Sequence, residues 1–242
     1  MLKQLKSSVV KAAITLETPT VSELHRRYER DGIKRWGIAA VLLTRKSPAD
    51  EPNILIQQYV GNEKVTALSW GGLGETSKIA VAADGHVLAI EPTTTTLLRG
   101  VAEETGVSLP AKDFMLPRQG TWFDSSWPVG LQFLGQRGGV RCPVAIISSD
   151  AAEAMISSPS NSEILQREFV SLKDAALLAR DAQFGQGLVR LGFRQWIHEI
   201  DAHLAQINLA DVSPMAANEQ WLYADSRATT DAVLDEIYGS ID

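Results

Sequence analysis

Two short runs of β-branched and aliphatic residues, Trp36–Leu43 and Ile54–Tyr59, constrain the fold most. Both are far below the roughly 20 apolar residues that a membrane helix needs. Pro48, Pro52 and Gly61 punctuate them, so they read as buried strands of a soluble core. A third strand is expected to end at Trp70, after which Gly71, Gly72 and Gly74 break the chain. Ile79–Ile90 alternates small and apolar residues around Asp84-Gly85, a two-residue hairpin signal because a type I′ turn needs positive φ at both central positions.

Beyond that point the period changes from two to 3.6. Thr93–Thr105 places leucines, valine and alanine at helical spacing, and Gly106 offers the left-handed residue with which helices commonly end. Further strands are expected at Gly130–Leu134 and Val144–Ser148. Glu163–Leu172 reads as a strand leading into a helix near Lys173, and helices are expected at Leu188–Ile207 and Thr229–Tyr238. The segmentation this suggests is an N-terminal extension over 1–34, a main domain over 35–207 with an inserted hairpin near 76–90, and a C-terminal helical appendage over 208–242.

Composition narrows the function classes. With 23 basic and 29 acidic residues the formal net charge is −6, which argues against sequence-independent adhesion to nucleic acid or to an anionic membrane. A single cysteine, Cys142, excludes an intrachain disulfide and paired-cysteine zinc sites, as a reducing compartment allows. Lys3, Lys6 and Lys11 precede the first acid, but the arginines of a transit peptide are lacking, so a cytoplasmic location is expected. A helical tail is compatible with a homodimer.

The stretch Glu91 to Val107 carries the chemistry. At about 100° per residue, positions 100, 103 and 104 share one helical face beside the packing arc of Leu97, Leu98, Val101 and Ala102. Adjacent glutamates on a packed helix repel each other, and a divalent cation relieves that repulsion. All-oxygen ligation selects magnesium or manganese, which fill the rest of their shells with water and phosphate oxygens.

Gly85, Glu91, Arg99, Val101, Glu103, Glu104, Gly106 and Val107 match, in register, the Nudix hydrolase box G-x5-E-x7-R-E-U-x-E-E-x-G-U. Gly100 departs from it, standing where the family has glutamate. The chain therefore resembles the Nudix superfamily over about Trp36 to Ala182. Gln58-Tyr59 is similar to the strand of the ADP-sugar pyrophosphatase branch, Trp70-Gly71-Gly72-Leu73 to the glycine pair before the catalytic loop, and Glu168 to Ala175 to the closing strand and helix. On this alignment Gly72 rather than Gly85 can fill the glycine role.

The resemblance implies an α/β (α+β) fold, a Nudix-like mixed β-sheet sandwiched between helices with N- and C-terminal extensions. It also implies hydrolysis by water of the diphosphate bond in a nucleoside diphosphate linked to X, such as ADP-ribose. Glu103 and Glu104 would hold Mg2+ or Mn2+, Glu91 and Arg99 would form the ion pair of the box, and Gln58, Tyr59 and Gly72 would contact substrate. Glu163, after the Ser157–Ser162 loop, is the candidate for the missing acid beside Glu104, and Trp122 in an aromatic loop is the candidate to stack a base. Gly100 leaves an alternative open: a catalytically impaired domain that binds a nucleotide, regulates or scaffolds. The histidines of His198-Glu199-Ile200-Asp201-Ala202-His203 lie about 140° apart on a helix and cannot share one metal.

Overall fold

The computed structural model describes residues 15–17, 35–60, 69–81, 87–125, 139–159, 162–180, 188–216 and 222–223. Contacts divide the chain into two compact units, one of 1–36, 76–92 and 220–242, the other of 37–75 and 93–219. The architecture is mixed α+β.

The smaller unit holds a four-stranded sheet in the order β1 (Thr15–Glu17), β6 (Ile79–Val81), β7 (Val87–Ile90) and β13 (Leu222–Tyr223). The alternating segment Ile79–Ile90 folds back on itself, with Ile79 opposite Ile90 and Ala80 opposite Ala89; the Asp84-Gly85 turn lies outside the described residues. At the hairpin base the Glu91 N–H donates to the Lys78 carbonyl at 2.8 Å. The Lys78 N–H donates to the Glu91 carboxylate at 3.0 Å.

The larger unit is built on a nine-stranded sheet. Its path runs β11 (Ile164–Ser171), β3 (Asn53–Tyr59), β2 (Arg35–Thr44), β10 (Gly139–Ile146), β8 (Met115–Pro117) and β12 (Val212–Pro214). Three strands join from the side: β4 (Trp70–Gly71) on β3, β5 (Leu73–Thr76) on β2, and β9 (Trp122–Ser125) on β10. Four α-helices are found among the described residues: α1 (Thr93–Thr105), α2 (Ser149–Ser157), α3 (Leu172–Leu178) and α4 (Leu188–Leu204). None is long and apolar enough to cross a membrane.

Both faces of the central strands are covered, which is why their sequences are continuous apolar runs rather than alternating ones. Ile38, Ala40 and Leu42 point into a cluster with Leu97 and Val101 of α1 and Ala151, Ala152 and Met155 of α2. Ala39, Val41 and Leu43, which alternate with them, are equally buried. α3 lies on β3 and β11, and α4 lies on β4 and β9. Trp196 of α4 is fully buried. It stands so close to Gly72 that a Cβ there would lie 2.1 Å from the indole ring.

α1 opens with four threonines, whose β-branching disfavours a helix. Leu97 and Val101 hold it in place, each fully buried in the core and contributing about 2 kcal/mol by removal of apolar surface from water. Gly106 follows at φ +72°, its N–H donating to the Ala102 carbonyl at 3.0 Å, as the sequence predicts.

Two expectations are corrected. The strand expected at Val144–Ser148 begins earlier, as β10, and ends at Ile146, because Ser148 caps α2 by accepting a hydrogen bond from the Ala151 N–H. Val212–Pro214 and Leu222–Tyr223, expected in a helical appendage, are strands, with Val212 opposite Pro117 on β8. The segments expected at Gly130–Leu134 and Thr229–Tyr238 lie outside the described residues.

Gly72→Ala is expected to lower stability by about 2 kcal/mol, since the added methyl must displace a packed indole. Gly74→Ala, whose Cβ would meet only the Ile38 carbonyl at 3.7 Å, is the matched control, and urea denaturation of both variants checks the difference.

Candidate active site

Glu104 is the centre of the site, and the helix alone does not make it comfortable there. It lies in the last turn of α1, which carries Glu103 and Glu104 and no basic residue. Carboxylates at the negative end of a helix dipole are disfavoured, so their charge must be met by other elements.

β3 and β11 meet it. Gln57 and Arg167 face each other across the β3–β11 register, and both reach Glu104. Gln57, fully buried, donates its amide N–H to the Glu104 carboxylate. Arg167, 5% exposed, donates to the Glu104 backbone carbonyl. The same guanidinium donates to the carbonyls of Met155 at 3.2 Å and Ser158 at 3.4 Å, at the end of α2. One cation thus closes the C-termini of two helices, the end where positive charge is stabilising. Burial pulls the Arg167 pKa below the ordinary guanidinium value, and the charge of Glu104 opposes that.

Tyr59, two residues beyond Gln57, lies on the same face of β3 and donates its hydroxyl to the Gly72 carbonyl at 2.8 Å. Burial, and next Glu104, hold its phenol well above the usual range. Gln58, between them, points to the other face, opposite Trp70 in the β3–β4 register. The structure brings Gln57 and Tyr59 to the acid, and not Gln58. Strand alternation could have raised this, because Gln57 and Tyr59 share one parity and Gln58 the other.

The remaining acids gather around Arg99. Its Nη1 is 2.9 Å from Glu75 of β5 and 3.3 Å from Glu103. Glu103 is more than half exposed, whereas Glu75 and Arg99 are nearly covered. Glu91 belongs to the smaller unit, where the Lys78 N–H holds it. Glu163, exposed just before β11, acts on Glu104 through its charge. The Glu104 carboxyl is pushed up to about 8, by burial first, with Gln57 opposing and the charges of Glu75 and Glu163 adding to it.

These donors suit a hard divalent ion. All are oxygens, Glu104 is a carboxylate on which the charges of Glu75 and Glu163 act, and Gln57 Oε1 is a buried acceptor with no hydrogen-bond partner among the described residues. Among the described residues no group of three or more histidine, cysteine, aspartate or glutamate side chains closes on one point. Magnesium does not require such a cage, since it commonly takes one or two carboxylates and completes its shell with water and phosphate oxygens.

Other candidates have different neighbours. Trp122, 40% exposed on β9, lies under the Arg141 guanidinium, 5.0 Å from the ring centroid. His203 is hydrogen-bonded to the Gly120 carbonyl at 2.8 Å, and His198 is exposed. Cys142 is fully buried and its thiol is pushed up to about 12 by burial. Arg167, Gln57 and Glu75 were not legible as site residues in the sequence. The visible trace of Arg167 is a lone cation within the strand Ile164–Ser171.

No family model and no curated protein matches the chain. Solved structures similar to it include an Ap4A hydrolase binary complex from C. elegans, at 14% identity and TM-score 0.42 over 70% of this chain and 98% of that one. Another is a MutT protein from Methanosarcina mazei Go1, at 15% identity and TM-score 0.40 over 70% and 95%. A third is the NUDIX domain of Shewanella oneidensis NrtR complexed with ADP ribose, at 18% identity and TM-score 0.35 over 77% and 99%.

Arg167→Met is expected to cost about 3 kcal/mol, because three helix-end carbonyls lose their donor while the stem volume is kept; chemical denaturation measures it. Burial pushes the Cys142 thiol up to about 12, so at pH 8 it stays protonated and shielded from reagent. Native protein is therefore expected to resist thiol alkylation that the urea-unfolded chain undergoes within minutes, as read by intact-mass spectrometry.

Proposed function

We propose that this chain is a Nudix-type pyrophosphohydrolase that uses Mg2+ or Mn2+ to cut the diphosphate bond of a nucleoside diphosphate linked to X, a nucleotide sugar such as ADP-ribose. The observation that carries the reading is Glu104. The residue that the box aligns with a metal-binding glutamate is a carboxylate held in a covered position by Gln57 and a buried arginine, with two further acids in its field.

In this reading Glu104, with Glu103 at the exposed edge, holds the cation. The bound ion would offset charge on the diphosphate oxygens and lower the pKa of a water. Gln57 orients the Glu104 carboxylate by its amide N–H, and Arg167 keeps the helix end under it fixed. Tyr59, whose hydroxyl is already given to the Gly72 carbonyl, shapes the floor rather than moving a proton. Glu163, exposed and acting on Glu104 through its charge, would accept a proton from the attacking water. Gly72 contributes to the substrate cleft, and Trp122 with Arg141 offers a stacking surface for a base. The setting is cytoplasmic, and the chain pairs as a homodimer.

One specific observation favours a second reading, a nucleotide-binding or scaffold domain without turnover. Position 100 has no carboxylate, and Arg99 already engages Glu75 and Glu103.

A panel of nucleoside diphosphate compounds with Mg2+ is expected to give nucleoside monophosphate from at least one member, and Glu104→Gln to lower kcat about a hundredfold or more. Turnover of none, together with tight binding of one, would favour the second reading.

A further inference from the structure

We infer that Gln57 Oε1 and Arg167 Nε hold one ordered water between them, a small polar site that joins the buried arginine to the amide orienting the Glu104 carboxylate. The site belongs to the support of the acid and stands whether or not the chain hydrolyses a diphosphate.

Two buried polar atoms of opposite kind carry the inference. Gln57 is fully covered and Arg167 is 5% exposed. The amide nitrogen of Gln57 is used on Glu104, and both terminal nitrogens of Arg167 are used on helix carbonyls. The acceptor Oε1 of Gln57 and the donor Nε–H of Arg167 remain, and neither has a hydrogen-bond partner among the described residues. Tyr59, on the same face of β3, gives its hydroxyl proton to the Gly72 carbonyl and so does not serve Oε1. Buried groups are rarely left unsatisfied, because nothing then offsets the loss of their hydration.

The register makes these two side chains neighbours. Arg167 stands opposite Gln57 in the β11–β3 pairing, and opposite residues project from one face of a sheet with Cβ atoms about 4.5–5.5 Å apart. Both side chains then extend to the same residue, Gln57 to the Glu104 carboxylate and Arg167 to its backbone carbonyl. Oε1 and Nε–H do not bond each other directly, so an intervening group must join them.

The chemistry of the pair narrows that group to water. The guanidinium repels a cation, and a deprotonated anion brings no hydrogen for Oε1. A neutral group that accepts from Nε–H and donates to Oε1 satisfies both, and water is the smallest that fits between two covered side chains. Gln57 thus serves a cation at Glu104 by orienting the carboxylate, not as a direct ligand. Three hydrogen bonds run in one direction, from Nε–H through the water and the amide to the carboxylate, and each polarises the next.

The test is water-selective nuclear Overhauser spectroscopy on the isotope-labelled full chain, without added metal or nucleotide. The Arg167 Nε–H is expected to show a cross-peak to a long-lived water, and to exchange with solvent about a hundredfold more slowly than that of the exposed Arg194. Gln57→Met keeps the length of the side chain and removes the acceptor. It is expected to abolish the cross-peak and to speed Arg167 Nε–H exchange by about tenfold or more. Fast exchange in the wild type, slow exchange with no water contact, or a cross-peak that survives Gln57→Met would each overturn the inference. Should circular dichroism show that Gln57→Met does not fold, a high-resolution crystal structure of the wild type decides instead. A water within about 2.7–3.2 Å of both atoms sustains the inference, and a direct contact between them or no water there overturns it.

Discussion

A buried guanidinium against the end of a helix is the constraint on which the site depends. Arg167 must leave water to reach the carbonyls of Glu104, Met155 and Ser158, and a desolvated cation is tolerated only where acceptors surround it. The two helix ends supply those acceptors together with negative dipole ends. In return the cation fixes α1 and α2 against β11. Glu104 inherits its position from this arrangement, because its backbone is one of the anchored groups while its carboxylate is held by the neighbouring strand.

Glycine has two distinct uses around this anchor, neither of them conformational. Gly72 leaves space for the Trp196 indole, so the strand end can pass beneath α4. Gly100 leaves space for the Glu75 stem, so a side chain of β5 can lie on α1. In both cases the missing methyl permits an approach between elements that is closer than ordinary packing allows.

Electrostatically the site is unbalanced in one direction. The charges of Glu75 and Glu163 act on Glu104, and among the described residues Arg167 is committed to helix carbonyls and Arg99 to Glu75 and Glu103. Burial above all, with the charges of Glu75 and Glu163 adding to it, pushes the Glu104 carboxyl up to about 8.

The sequence by itself determined the elements whose signal is local. Apolar runs marked β2 and β3, and the 3.6 period and Gly106 bounded α1. It also placed the α3 and α4 helices closely, since amphipathic periodicity is written within a single segment. Tertiary structure alone decided which residues meet Glu104. Gln57 reaches it instead of Gln58 because of strand parity relative to a helix far away in the chain, Arg167 reaches its backbone carbonyl from β11, and Glu75 of β5 packs on α1 at Gly100. The strand at Val212–Pro214 was hidden for a related reason: three residues carry no period, and their extended form is imposed by pairing with β8. Such contacts depend on the register and packing of distant segments, so no window of neighbouring residues contains them.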